Sequence, residues 1–333
     1  MIEQSARLSG TGLSRSERAQ LVTVARRFYL DDVSKVDLAK ELGLSRFKVA
    51  RLLERARETG IVTITIHDEG TVDQQLSAEL AAHLGLDEVL VVEATGDGPA
   101  VRRSVGSAAA DLLSDTLHAG DVLGLAWGRT LTAMTESLAS LPPVIVVQLT
   151  GAVGSDLTES PVEVVRRASQ RAGGSARAIF APLLVENAET AAALRRQPDV
   201  AQALQLLDEV TVAVVAVGSW DPPISQLREV MRPDDRAVLA ERGVQAEVAG
   251  ILLDADGQLV GQDFAERCLS ISADQLRMVP RVVAVAGGAA KTAAVLAVAR
   301  SGLVTSLVTD RALAEAALAE PPVDPHPHTR RSS

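Results

Sequence analysis

Four glycine-bearing turns in this 333-residue chain have the residue types to hold an anion: Leu125–Thr130 (LAWGRT), Gln148–Gly154 (QLTGAVG), Val217–Trp220 (VGSW) and Val285–Thr292 (VAGGAAKT). Each follows an apolar run. Glycine lets backbone N–H groups approach a ligand, and the helix start that follows favours negative charge. Thr130, Thr150 and Lys291 add hydroxyl and ammonium donors, so the expected ligand is a small molecule bearing phosphate. One such turn alone is an ordinary tight turn; four at strand ends in one domain make a pocket. Ala290, not glycine, precedes Lys291-Thr292, so the phosphate loop of nucleotide triphosphatases is excluded, and no GxGxxG supports a dinucleotide site. Asp263, after Gly261-Gln262, is either an acceptor for sugar hydroxyls or a surface acid. Arg102-Arg103 and Arg177 serve phosphate or the surface, and Trp127 and Trp220 are stacking faces or core residues.

A second chemistry lies near the N-terminus. Leu21, Val24, Ala25 and Phe28 recur at helical spacing within Ser16–Tyr29. Ser34 can cap a short second helix with Val36, Leu38, Ala39 and Leu42 as its apolar members, and Gly43 stops it. Ser45 then caps a third helix, whose apolar set is Val49, Leu52, Leu53 and Ala56. Its other face presents Arg46, Phe47, Lys48, Ala50, Arg51, Arg55 and Arg57. Short helix, glycine turn and a capped basic helix make a helix-turn-helix. Arg46, Phe47, Ala50 and Arg51 are placed to meet base edges, and Lys48 and Arg55 phosphates. The bland alternative is a three-helix unit with a solvated basic face. Ile61–His67 (IVTITIH) alternates like a short strand and could form a wing.

The charge follows this division. The net charge of −10 argues, taken whole, against nucleic acid. Residues 1–67, however, hold 12 Lys and Arg against 8 Asp and Glu, a balance of +4, and the remainder carries −14. Aromatics at 2% disfavour stacking on single strands. A single cysteine, Cys268, excludes an internal disulfide, and no Cys/His cluster has zinc spacing; neither metal nor cofactor is expected. MIEQSARLSG lacks the apolar core of a signal peptide, and no uncharged apolar run reaches about 18 residues, so no membrane is expected and the location is expected to be cytoplasmic.

These elements need a frame. Thr71–Leu84 reads as a connecting helix, a spacer or a dimer contact, with Leu76, Leu80 and Leu84 in one stripe. Strand runs are expected at Glu88–Ala94, Val122–Trp127, Val144–Leu149, Ala178–Val185, Thr211–Val217, Val248–Leu253, Val282–Ala286 and Ser306–Thr309. Helical patterns alternate with most of them. Continuous Val/Ile/Leu runs point to a parallel sheet in an α/β fold. The expected domains are a head at 1–67, a connecting helix at 68–86, an effector domain at 87–320 and a disordered Pro-rich tail at 321–333.

The ordered series ELGLSRFKVARLLERARETGIVTI, WGRT, QLTGAVG, APL (Ala181–Leu183), VGSW, VAGGAAKT and LVTD (Leu307–Asp310) resembles the SorC family of bacterial sugar-responsive transcriptional regulators, over about residues 16–320. The resemblance implies an effector domain of the glucosamine-6-phosphate deaminase, ribose-5-phosphate isomerase and CoA-transferase type of fold. It implies a sugar or polyol phosphate as effector, and homodimers or homotetramers on palindromic operator DNA. By motif, it implies an effector site of Gly128, Thr130, Gln148, Thr150, Gly151, Asp263 and Lys291. Two positions depart from the family pattern: Ala50, where a hydroxyl residue is common, and Gly151-Ala152, where paired glycines are common.

Two other functions compete with a DNA-binding regulator. A sugar-phosphate isomerase or deaminase would need a general base beside the pocket. The five His, at 67, 83, 118, 326 and 328, lie outside the glycine turns, and Asp263 has no evident partner. A multimeric sugar-phosphate sensor acting through protein contacts is the third.

Overall fold

The computed structural model describes residues 15–31, 33–62, 72–94, 96–153 and 160–324. The chain divides into two compact units, Met1–Asp68 and Glu69–Ser333.

The first unit is three helices, α1 (Arg15–Tyr29), α2 (Lys35–Leu42) and α3 (Arg46–Glu58). Leu21, Val24, Leu38, Val49 and Leu53 bury their side chains in one small core. The Ser34 hydroxyl accepts from the Asp37 N–H, and the Ser45 hydroxyl accepts from the Lys48 N–H. Each cap satisfies a backbone donor that has no partner inside its helix. Gly43 ends α2 at φ 61°, a left-handed conformation that costs glycine little. Arg27 reaches from α1 to Glu41 of α2 and also pairs with Asp31. Of the apolar set expected in α2, Leu38 and Ala39 are buried, whereas Val36 and Leu42 are exposed. An eight-residue helix resting on two others covers only a narrow stripe. Ile61 and Val62 form a half-buried bend rather than a strand, and the remainder of the expected wing lies outside the described residues.

The second unit is built on a sheet of β1 (Glu88–Val92), β2 (Val122–Leu125), β3 (Ile145–Gln148), β4 (Ala176–Arg177), β5 (Val212–Ser219), β6 (Ala246–Val248), β7 (Ile251–Leu253), β8 (Arg281–Val285) and β9 (Ser306–Asp310). Seven strands run parallel in the order β1-β9-β8-β5-β2-β3-β4; β6 and β7 form an antiparallel extension from β5. Between them run α4 (Gln74–Leu84), α5 (Gly98–Thr116), α6 (Arg129–Ser137), α7 (Pro161–Ala172), α8 (Ala188–Arg195), α9 (Pro198–Gln205), α10 (Gln226–Val230) and α11 (Pro233–Glu241). α12 (Gln262–Glu266), α13 (Ala273–Met278), α14 (Thr292–Arg300) and α15 (Arg311–Leu318) follow. The expected α/β class with a parallel sheet is observed.

Four expectations are corrected. Thr71–Leu84 is not a free connector: Leu80 and Leu84 of α4 are buried in the main core, and the Ser77 hydroxyl accepts from the Val91 N–H of β1. Ala178–Val185 is not a strand. Pro182 lacks an N–H, and Ile179 and Ala181 turn into a separate small core with Ala191, Val200 and Leu269. Val248–Leu253 is two strands, because Ala249 (φ 50°) and Gly250 (φ 85°) make the left-handed two-residue turn of a tight hairpin. The chain past Pro321 is not disordered throughout: Val323 is buried and its N–H donates to the His83 carbonyl, while 325–333 lie outside the described residues. Among the described residues, no helix is long and apolar enough to cross a membrane, and no group of three His, Cys, Asp or Glu could hold a metal ion.

If α4 is part of the core, Leu80→Ala should destabilise the second unit by about 2–5 kcal/mol, as cavity-forming changes do. Urea unfolding followed by circular dichroism checks this. A free spacer helix would tolerate the change.

Candidate functional site

The strand order reverses between β5 and β2: β2, β3 and β4 step outward one way, and β5, β8 and β9 the other. In open α/β sheets such a reversal leaves a crevice beyond the carboxyl ends of the strands. A cavity of about 440 Å³ lies there. Its walls come from the ends of five strands: Ala94 after β1, Trp127 and Gly128 after β2, Val217 and Gly218 in β5, Gly287 and Gly288 after β8, and Asp310 at the end of β9. The size suits a small organic ligand.

Helices α6 and α14 begin at this cavity without a side-chain cap, their N-cap positions held by Gly128 and Lys291. The first turn of α6 presents N–H groups and the positive end of its dipole, whereas α14 continues from a 3-10 turn, Ala289–Lys291, so that the Lys291 and Thr292 N–H groups already donate to the Gly288 and Ala289 carbonyls. Gly128 sits at φ 143°, and a Cβ there would lie 2.8 Å from the Ala216 Cβ, so only glycine lets this turn pass β5. Lys291, Arg102 and Arg129 add positive charge around the same space. The Lys291 ammonium donates to the Val217 carbonyl at 2.6 Å. Burial pulls its pKa down to about 8; Glu247 opposes the shift, and Arg102 and Arg129 reinforce it.

Two carboxylates complete the walls. Glu247, on β6, is buried; its Oε2 accepts from the Ser225 hydroxyl and its Oε1 from the Gly250 N–H, each at 3.1 Å. Burial pushes its pKa up, and the hydrogen bonds from Gly250 and Ser225 and the charge of Lys291 pull the other way. Asp310 Oδ1 accepts the Gly288 N–H at 2.6 Å and so fixes the glycine turn.

Of the seven effector residues expected, Gly128, Thr130 and Lys291 line this cavity. Gln148, Thr150, Gly151 and Asp263 do not. Gln148 is a buried strut, its amide donating to the Thr150 carbonyl and its oxygen accepting the Ile179 N–H. Thr150 is buried beside it, and a Cβ on Gly151 would lie 2.6 Å from the Leu183 nitrogen, so that glycine serves a close crossing of two backbone segments. Asp263 is exposed on α12 and paired with both terminal nitrogens of Arg242, which lowers its pKa. Glu247 and Asp310 line the cavity, where Asp263 and Gln148 were expected. A lone acid inside the apolar run AEVAGILL, and the final residue of LVTD, were the available signals.

In the first unit, the apolar side of α3 faces α1 and α2 through Val49, Leu52, Leu53 and Ala56. Ser45, Arg46, Phe47, Lys48, Arg51 and Arg55 are exposed, and Ala50 is half-buried. Lys48, Arg51 and Arg55 border a groove with Glu17 and Gln20 of α1. Helical spacing puts Glu54 and Glu58 on the same outward side as Phe47 and Arg51. The outward side is therefore basic over its first two turns and mixed over its last, where Arg55 and Arg57 flank Glu54 and Glu58.

Residues 69–319 match the model of the sugar-binding domain family Sugar-bind. The chain is 30% identical over 320 residues to the transcriptional regulator LsrR of Enterobacter sp. strain 638, covering 92% of this chain and 95% of that one. It is 28% identical to the sorbitol operon regulator of Klebsiella pneumoniae, covering 89% and 96%. The crystal structure of that organism's full-length sorbitol operon regulator SorC superimposes with a TM-score of 0.69 at 25% identity, over 91% of this chain and 99% of the other. The chain belongs to the SorC family of sugar-responsive transcriptional regulators. Membership implies a DNA partner and a sugar effector.

The depressed Lys291 pKa sets a pH dependence. The ammonium is charged below about 8 and is lost as the pH rises through that value. Affinity for sulfate, which does not titrate in this range, should fall about tenfold from pH 7 to pH 9. In Lys291→Gln the affinity should be lower and flat with pH. Isothermal calorimetry reads both.

Proposed function

We propose that the cavity binds a phosphorylated sugar or polyol and that the ligand switches operator binding by the head. The observation that carries the reading is the convergence of the uncapped start of α6 with Lys291 and Arg102 on one cavity that also holds Glu247 and Asp310. The phosphate takes the cationic end, at the first turn of α6 beside Lys291. Lys291 keeps ammonium protons for it beside the one given to Val217. Glu247, Asp310 and Thr130 meet the hydroxyls.

The regulator works in the cytoplasm as a homodimer or homotetramer on a palindromic operator, whose symmetry matches that of the protein. Effector binding favours one arrangement of subunits and so changes how the heads fit the two half-sites. The protein is a regulator rather than an enzyme. Glu247 is the one observation that favours sugar-phosphate isomerase chemistry, since it is a buried carboxyl on the cavity wall. Both its oxygens, however, accept hydrogen bonds from Ser225 and Gly250 that hold it in place. Incubation with a panel of sugar phosphates should give no isomerised or deaminated product.

Two substitutions separate the halves of the mechanism. Arg51→Ala should weaken operator binding about 10- to 100-fold, the range for one lost base contact, and leave effector affinity unchanged. Lys291→Ala should keep operator binding and lose the response to effector. Gel shifts with and without effector, with calorimetry on each variant, decide it. A normal effector response in Lys291→Ala would remove the cavity from the mechanism, and unchanged operator binding in Arg51→Ala would remove α3.

A further inference from the structure

Phe47 is 80% exposed, the most exposed large hydrophobic side chain among the described residues. Its backbone has a clear role in the first turn of α3, but its ring has no packing role. It points away from the core side set by Val49, Leu52, Leu53 and Ala56. Helical spacing brings it next to Ala50 at i+3 and Arg51 at i+4. The result is a small apolar spot of Phe47 and Ala50, bordered by the exposed cations Arg46, Lys48 and Arg51. The turns beyond mix Glu54 and Glu58 with Arg55 and Arg57, so the spot lies in the stretch of the helix that holds cations and no acid.

An apolar ring among cations, at the start of a helix that enters a major groove, faces a surface with a single apolar group. That group is the 5-methyl of thymine; every other edge there is a hydrogen-bond donor or acceptor. Of the flanking cations, Lys48 complements phosphate, and Arg46 and Arg51 can meet the neighbouring base edges. We propose that Phe47, backed by Ala50, reads thymine methyl groups in the operator half-site and so fixes part of its sequence. The inference rests on the reading that α3 enters the major groove. It assigns the exposed ring to base recognition rather than to a second copy of the chain or another protein.

Replacing thymine by deoxyuridine removes the methyl and leaves base pairing and phosphates intact. The full-length protein is first used to select a duplex from a randomised pool, and each thymine of that duplex is then replaced singly. At one or two thymines of each half-site the loss of the methyl should weaken wild-type binding about fourfold, the effect of exposing one apolar carbon group. Phe47→Ala should bind thymine and uracil duplexes equally at those positions, while Arg51→Ala should keep the difference between them. Phe47→Leu, which keeps apolar contact, should retain part of the discrimination. Circular dichroism should show the same helix content in each variant. If a duplex is selected but no methyl matters, or if the methyl effect survives in Phe47→Ala, the assignment is overturned. A Phe47→Ala variant that changes sedimentation with no methyl effect would also overturn it, and would place the ring between copies. Failure to select any duplex would overturn the groove reading beneath it.

Discussion

The reversal of strand order between β5 and β2 is the constraint on which the site depends. Chain connections leave these neighbours in opposite directions, so no crossover covers the space beyond their carboxyl ends. Gly128 and Gly218 line that space because a side chain at either would collide with Ala216 or Glu247. α6 then starts at its rim without a capping side chain, and its dipole favours an anion there. Lys291 follows from this placement. An ammonium held against Val217 in a largely desolvated space is costly without a counter-charge, and its pKa falls accordingly. A bound phosphate would supply that charge.

The same rim connects to the first elements of the effector unit. Asp310 holds Gly288 at the cavity, and the next residue, Arg311, bonds Asp73 at the cap of α4 and Glu93 beyond β1. Val72 pairs with Val92, and the chain past Glu93 runs on to the cavity wall at Ala94. Residues that enter the unit from the head side of the sequence are therefore bonded to the elements that enclose the cavity. Burying Leu80 and Leu84 makes α4 a fixed part of that frame, which a loose connector would not be.

Much of this was legible in the sequence, for reasons that differ between residues. Ser34, Gly43 and Ser45 marked the head helices because caps and left-handed stops are local chemistry. Gly128 and Lys291 line the cavity because a glycine after a buried strand leads to the open end of a parallel sheet. Gln148, Thr150 and Gly151 carry the same local signal, yet β3 lies one strand further from the reversal, and tertiary packing turned them to structural work. Asp263 was misplaced because its partner, Arg242, is 21 residues away. Glu247 was hidden by its apolar neighbours. The charge division shows only when the head is counted apart: a net −10 conceals a head of +4 and a remainder of −14.

Thermal unfolding with paired ligands, each sugar or polyol beside its phosphate ester, tests whether the cavity is built for phosphate. At one hundred times its Kd, a ligand specific to the native state adds about 2.7 kcal/mol of stability. The account predicts that at least one phosphate ester raises the Tm of the wild-type chain, that its unphosphorylated parent does not, and that Lys291→Ala removes the shift. Equal shifts from an ester and its parent, or an undiminished shift in Lys291→Ala, would contradict it.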